Sequence, residues 1–457
     1  MHDDAGKSRR SFALTTPDVE GPGHRARGLF RASARCPSPE TLTDARRKPM
    51  IDHRKLGREL ELFCSDPLIG AGLPIWLPDG AIARHAVEEY LRGVERAAGY
   101  QHVYSPPMGR RELYEISGHW AHFADDMFPP MRDGGEELVL RPSLCPHHAL
   151  VYRSRQRSFR ELPLRIAELG GMYRAERSGV LGGLARVRAI SLNDAHIFCQ
   201  PDRAGEEIAQ VLAMMRRAHA ALGVVPARFR LSLRGAGRDY AGSAEQWDRA
   251  EGMLRDALGG SSYVEAPGEA AFYGPKVDVQ IVDPAGREST LATVQLDFHQ
   301  PARFNLSYVD SSGAAARPVM VHRSLVGSME RLFGHLVEVH GGAFPAWYAP
   351  VQVAVLPVGA NEIPQASAFA DRCAAAGLRV NLAVDGSLGA RVRDARRVPY
   401  VAVIGSREAA SGDVSMRRRR SGPPGSIGVS PDAGAPAAEA MPVADAIRVL
   451  VAACAMP

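Results

Sequence analysis

An α+β chain that ends in a small α/β domain is the fold class the sequence predicts, on three observations. Apolar residues recur at helical spacing over 83–98 and again over 203–222, where Ile208, Val211, Leu212 and Met215 share one face. Two strand-like runs, 277–282 and 289–296, flank Asp283-Pro-Ala-Gly286, a turn sequence that makes them a hairpin. After Pro345-Ala-Trp-Tyr-Ala-Pro350 short strands alternate with helices, the pattern of a parallel sheet.

Taken in chain order, residues 1–50 mix Ser, Pro, Gly and scattered Arg with no sustained period, which predicts a disordered basic extension or a misassigned start. Residues 1–49 carry ten basic and six acidic side chains, too many acids for a transit peptide, and Met50 opens directly onto Ile51-Asp-His-Arg-Lys-Leu-Gly57. A first folded domain is expected over 51–348. It should hold the 83–98 helix, a short strand over 103–106 ending at Pro106, the 203–222 helix and the hairpin. A second is expected over 349–457, with a buried strand at 351–356, a helix over 365–376 stopped by Gly377, strands at 378–384 and 401–404, and a flexible tail.

Composition excludes several classes. At 457 residues and 45% hydrophobic content the chain can bury two cores. Six cysteines at irregular spacing form no disulfide framework, and no apolar run approaches a membrane span, so a soluble cytoplasmic enzyme is expected. The net charge of +5 says little about nucleic acid by itself. Of 56 basic residues only Lys7, Lys48, Lys55 and Lys276 are lysine. Lys276 therefore stands out where arginine is the default, since a slot shaped for a compact ammonium need not accept a planar fork.

Motifs sharpen this reading. Gly72-Leu-Pro-Ile-Trp-Leu-Pro-Asp-Gly80 precedes Gly99-Tyr-Gln-His-Val-Tyr-Ser-Pro106 and Ser117-Gly-His-Trp120. Next come Arg141-Pro-Ser-Leu-Cys145-Pro-His-His148, then Met172-Tyr-Arg174-Ala-Glu176 through Gly183-Leu-Ala-Arg186-Val-Arg188, then Asn193-Asp-Ala-His196. Ala271-Phe-Tyr273-Gly-Pro-Lys276, Thr293-Val-Gln295-Leu-Asp-Phe298 and Val321-His322 follow, and Gly327-Ser-Met-Glu-Arg331 closes the series. In this order, from about residue 52 to 428, they resemble threonyl-tRNA synthetase, a class II aminoacyl-tRNA synthetase.

The resemblance implies an antiparallel-sheet catalytic domain followed by an anticodon-binding domain. It further implies activation of L-threonine with ATP and Mg²⁺, transfer to tRNA, and a homodimer formed through the first motif near Pro106. Arg174 and Arg331 match the phosphate-binding arginines of the second and third motifs, and Glu176 and Arg186 flank the nucleotide. Cys145, His196 and His322 match a zinc set whose three ligands leave room for substrate. Asp194, Tyr273, Lys276 and Gln295 match the amino-acid pocket. Arg391, Arg393, Arg396, Arg397 and the run Arg417 to Arg420 put a basic strip on the second domain, suited to tRNA phosphates.

Some positions depart from the family pattern. Ile190 replaces an adenine-stacking aromatic, Leu192 a glutamine, Leu144 an asparagine, Thr290 another polar residue and Arg177 a proline; the segment 392–398 is about two residues short. The family's amino-terminal editing modules have no counterpart in these residues, so a trimmed synthetase without editing is expected. The alternative is a paralogue serving another acceptor, or a weakly catalytic regulatory tRNA-binding protein.

Overall fold

The computed structural model describes residues 51–236, 240–419 and 438–457. The 1–50 extension with both candidate starts, Arg420 and the stretch to 437 lie outside the described residues.

The larger region is built on eight strands: β1 Gln101–His102, β2 Leu164–Tyr173, β3 Ala189–Cys199, β4 Arg228–Leu233, β5 Tyr263–Pro267, β6 Lys276–Val282, β7 Glu288–Asp297 and β8 Val319–Ser324. They lie in the order β5-β4-β6-β7-β8-β3-β2-β1, antiparallel throughout the middle and parallel only at the two edges. The hairpin expected from the turn at 283–286 is the β6–β7 pair.

Strict alternation gives this sheet two faces. Ala195, Ile197, Val277, Val279, Val294, Leu296 and Val321 face one way into the main core. The main helices of the region are α1 His53–Glu59, α2 Pro78–Ala97, α3 Cys145–Arg153, α4 Ala204–Leu222, α5 Ala244–Leu258 and α6 Met329–His340. Ala83, Val87, Tyr90 and Leu91 from α2 and Ile208, Val211, Leu212 and Met215 from α4 seal that core. The opposite face carries the polar residues between those apolar ones, with α3 packed at its end through Ala149 and Tyr152 against Ile166, Phe198 and Met320.

Helix α2 starts five residues before the apolar stripe, because Pro78 at its first turn has the φ a helix needs and no N–H to lose. The strand expected over 103–106 is not formed: pairing ends after His102, Val103 bonds Ala167, and Tyr104 is 89% exposed. Pro106 and Pro107 have no N–H to continue a ladder.

The carboxy-terminal region has strands β9 Val353–Pro357, β10 Val380–Leu382, β11 Tyr400–Ile404, β12 Asp413–Arg418 and β13 Glu439–Pro442, with helices α7 Ile363–Ala375, α8 Leu388–Asp394 and α9 Val443–Cys454. The sheet order is β10-β9-β11-β12-β13. Its first three strands are parallel, as expected; β12 and β13 add antiparallel. The added strand β12 hides in the arginine run, where Val414 and Met416 alternate inward beneath Arg417 and Arg418. No helix among the described residues is long and apolar enough to cross a membrane.

Candidate active site

Register, more than any loop, assembles the site. Lys276 on β6 pairs with Gln295 on β7, Gln295 with His322 on β8, His322 with His196 on β3, and His196 with Ile166 on β2. Four polar side chains thus stand in one row across four strands, all on the face opposite the apolar core. Arg323, one residue on from His322, anchors to the core side instead, 2.8 Å from Glu95 of α2 and 4.3 Å over the Tyr100 ring.

Helix α3 adds Cys145 at its first turn, and one ligand atom from each of Cys145, His196 and His322 lies within 4.8 Å of the others. Proton bookkeeping tests whether this trio suits a cation. Glu168 is held at about 2: burial raises it, but hydrogen bonds from His148 and Ser105 and the Arg141 guanidinium outweigh that. As a carboxylate it accepts from His148 Nε2 at 3.2 Å, which leaves His148 Nδ1 as a lone pair. The 2.7 Å contact from that atom to His196 Nδ1 then needs the proton on His196. His322 Nε2 donates to Asp297 Oδ2 at 2.9 Å, while Asp297 Oδ1 accepts from the N–H groups of His299 and Gln300. With all three rings neutral, His196 Nε2 and His322 Nδ1 meet as two lone pairs 2.9 Å apart. A bound cation removes that conflict, and burial of the neighbouring Cys145 thiol likewise calls for positive charge beside any thiolate. One sulfur and two imidazoles, each imidazole held through its other nitrogen, form a donor set that fits zinc.

Tyr273 stacks on His322 with ring centroids 5.0 Å apart and donates to Gln295 Oε1 at 2.6 Å. Asp194, opposite Glu168 on β3, is pushed up to about 6 by burial, against the pull of His148, His322 and Arg323. Both line a cleft of about 260 Å³, which runs from His196 and His322 to Arg174, Arg186 and Arg331.

The arginine end is positioned by backbone. Arg174 follows β2 and bonds Arg188 through its N–H; its side chain is open to the cleft. Arg186 sits 2.8 Å from Glu176. Arg331 lies in the first turn of α6, where Ser328 caps its N–H. Gly327 makes that approach possible, with φ +68 and no room for a Cβ, which would fall 2.3 Å from Leu291 O. Burial lowers Arg331, and then so do Arg174 and Arg186, with Glu176 opposing. Three guanidinium groups that repel one another in one cleft make an anion site.

Not every residue singled out in the sequence lies in this cleft. Lys276 is on the row but outside the cleft lining, its ammonium 2.7 Å from buried Asp278, which also accepts from Arg230 and Ser232. Arg391 is a correction: it is buried, and its Nη1 donates to Pro357 O and Ala383 O, so it is no part of a surface strip. Arg397 is half-buried on Gly341 O, whereas Arg393, Arg396 and Arg418 are exposed and Arg417 is partly covered. Ile190, Leu192 and Thr290 line the cleft; Leu144 is fully buried beside Gly170. His148, Glu168 and Asp297, which orient the two histidines, were not singled out. His148 and Asp297 had a signal, at i+3 from Cys145 on a helix and i+2 from Gln295 on a strand; Glu168 had none.

Comparison with known proteins agrees with this layout. Residues 127–340 match the tRNA synthetase class II core domain (G, H, P, S and T), and 352–431 match the anticodon binding domain. Threonine–tRNA ligase 1 of Bacillus subtilis (strain 168) is 47% identical over 375 residues, 80% of this chain. The threonine–tRNA ligase of Listeria monocytogenes serovar 1/2a (strain EGD-e) is 46% identical over 377. This chain spans 58% of the length of the first relative and 59% of the second. The solved RNA-binding domain of threonyl-tRNA synthetase from Cryptosporidium parvum Iowa II superposes with a TM-score of 0.80 at 31% identity, covering 89% of this chain and 98% of that one. With both domains matched and 89% of its length superposing in this way, the chain belongs to the threonyl-tRNA synthetase family of class II aminoacyl-tRNA synthetases.

Proposed function

We propose that the protein is a threonine–tRNA ligase, with a catalytic part over 51–348 and an anticodon-binding part over 349–457. It would activate L-threonine with ATP and Mg²⁺ and pass it to tRNA, working as a cytoplasmic homodimer. One observation carries this reading: a single cleft joins the two histidines of a cysteine–histidine donor set at one end to three converging guanidinium groups at the other.

In the activation step a carboxylate oxygen of the amino acid attacks the α-phosphorus and the bond to pyrophosphate breaks. Two anions must meet while charge grows on the phosphate oxygens, and fixed positive groups lower both costs. Arg174 takes the α-phosphate and Arg331 the γ-phosphate, exchanging its present bonds to Thr290 O and Ala185 O for phosphate oxygens. Glu176 and Arg186 flank the nucleotide. Cys145, His196 and His322 would hold zinc, which supplies a Lewis acid for the substrate amino and hydroxyl groups. Asp194 accepts from the hydroxyl, and Tyr273 with Gln295 walls the pocket. Lys276, tied to Asp278 beside that wall, adds positive charge near the carboxylate.

ATP–pyrophosphate exchange with threonine, serine and valine, followed by charging of tRNA, tests the proposal. Threonine should drive exchange, valine should not, and serine, lacking only a methyl, should follow at an efficiency lower by roughly 10 to 200-fold. Exchange with none of the three, or valine matching threonine, would sink it. Exchange without charging would favour another acceptor.

A further inference from the structure

Outside the cleft, Asp52, His53 and Glu338 bring three potential ligand atoms within 4.8 Å, yet each is already spent on protein. Both Asp52 oxygens accept from Arg54. Glu338 Oε1 accepts from His53 Nδ1 at 2.6 Å and from the His53 backbone N–H at 3.3 Å. His53 Nε2, carrying the remaining lone pair, accepts from the backbone N–H of Leu184 at 3.1 Å. All three partners are buried, Leu184 to 1% exposure.

Leu184 belongs to the loop between β2 and β3 that carries Arg186 into the cleft. The next residue, Ala185, is held from the other side by Arg331 Nε, 3.2 Å from its carbonyl. Between the two attachments the loop turns tightly, with Ala185 N–H on Gly182 O. Gly183, at φ +59, leaves no space for a side chain: a Cβ there would come 2.6 Å from His53 Nε2 and 2.5 Å from Arg54 Cγ.

These two attachments have different fates. Under the function proposed above, on which this inference rests, Arg331 must release Ala185 when ATP arrives, just when Arg186 has to stay in place. We infer that the His53–Glu338 pair is a positioning device for ATP, pinning the loop through Leu184 so that Arg186 keeps its place once Arg331 turns to phosphate. Glu338 fixes the tautomer, because an Nδ1–H pointed at its carboxylate leaves Nε2 free to accept. The same helix, α6, presents Arg331 one face-repeat earlier, so the phosphate ligand and the loop's pin share one rigid element.

Two near-isosteric variants separate the bonds. Asn at 53 keeps a donor to Glu338 and loses the acceptor for Leu184; Gln at 53 places a carbonyl near the lost Nε2 and gives up the donor to Glu338. A buried N–H left unpaired is costly enough that His53→Asn should raise the KM for ATP roughly tenfold. The KM for threonine should not move, and His53→Gln should stay within about threefold of the parent. Amide hydrogen exchange over 182–186, which needs no catalysis, should speed up in His53→Asn and not in His53→Gln. Equal effects of the two variants on that exchange would overturn the pin itself. Faster exchange in His53→Asn with an unchanged KM for ATP, or an equal rise in the KM for threonine, would overturn its role in ATP placement. If the parent protein supports no pyrophosphate exchange, the proposed function fails, and binding of ATP alone to the two variants decides the role instead.

Discussion

Arginines in the cleft of the eight-stranded sheet and arginines in the five-stranded domain are arranged in opposite ways. Arg174, Arg186 and Arg331 converge; burial disfavours the charge of Arg174 and Arg331, Arg186 adds to that for both and Arg174 for Arg331, with Glu176 among them as a partial counterweight. Arg391, Arg397 and Arg419 are instead surrounded by backbone carbonyls, Arg391 by Pro357 and Ala383, Arg397 by Gly341, and Arg419 by Arg397, Ala343 and Phe344. The first set shares one cleft, where Arg331 rests on Thr290 O and Ala185 O and Arg186 on Glu176, and it keeps guanidinium charge facing open space; the second is spread over carbonyls of its own fold. Arg397 and Arg419, moreover, reach the chain after α6, so they tie the two regions together and are not spare for a ligand.

The strongest way to break this comparison is to remove the donor set at the far end of the cleft. Cys145→Ala or His322→Ala should eliminate the single zinc ion expected per chain and abolish threonine-dependent exchange; elemental analysis beside the exchange assay checks it, and metal loss with activity kept would refute the pairing of the two cleft ends. Next, Arg331→Ala should cut exchange on the order of 10² to 10³-fold while tRNA affinity holds, because a preorganised charge is lost from one end only. A tRNA affinity that falls in parallel would mean the two regions are not separable.

His148→Ala and Glu168→Gln should weaken zinc binding by about 10 to 100-fold, the usual cost of losing a ligand's orienting partner, as read by competition with a chelator. Unchanged affinity would show that His196 keeps its orientation without the Glu168–His148 relay. The smallest effects belong to the second domain. Arg393→Ala and Arg396→Ala should each flatten the salt dependence of tRNA binding by about 0.7 to 0.9 in log–log slope. Arg391→Ala should lower stability by about 1 to 3 kcal/mol, because two buried carbonyls lose their donor. A salt slope that responds to Arg391 and not to Arg396 would reverse the assignment.

Much of this was legible from the sequence, because the sheet writes itself in alternation. Val277, Val279 and Ile281 set against Lys276, Asp278 and Gln280 fix both the hairpin and its functional face. What was not legible is which strands lie side by side: nothing local says that β8 sits between β7 and β3, so the meeting of Gln295, His322 and His196 could come only from family resemblance. Glu168 was hidden for the same reason, being an acidic residue in an apolar strand whose partners lie on three other segments. Arg391 was misread for a different one. Leu388, Arg391 and Ala395 share a helical face, and the packing of Leu388 and burial of Ala395 against the same cluster turn that arginine inward.

The β6–β7 hairpin holds an irregularity in its pairing between Val279 and Gln280, beyond the row and toward the turn at 283–286. That gives the hairpin an asymmetric tolerance. Residues gained or lost at the turn itself, beyond the Gln280–Thr290 pair where the Thr290 carbonyl holds Arg331, can be taken up before the register reaches Lys276 and Gln295, much as slack is taken up before a hook. A single residue added between the irregularity and the row has nowhere to go, and would turn Gln295 into the core and an apolar neighbour toward the histidines. Sequence drift in this chain is therefore cheap at one end of the hairpin and forbidden a few residues away.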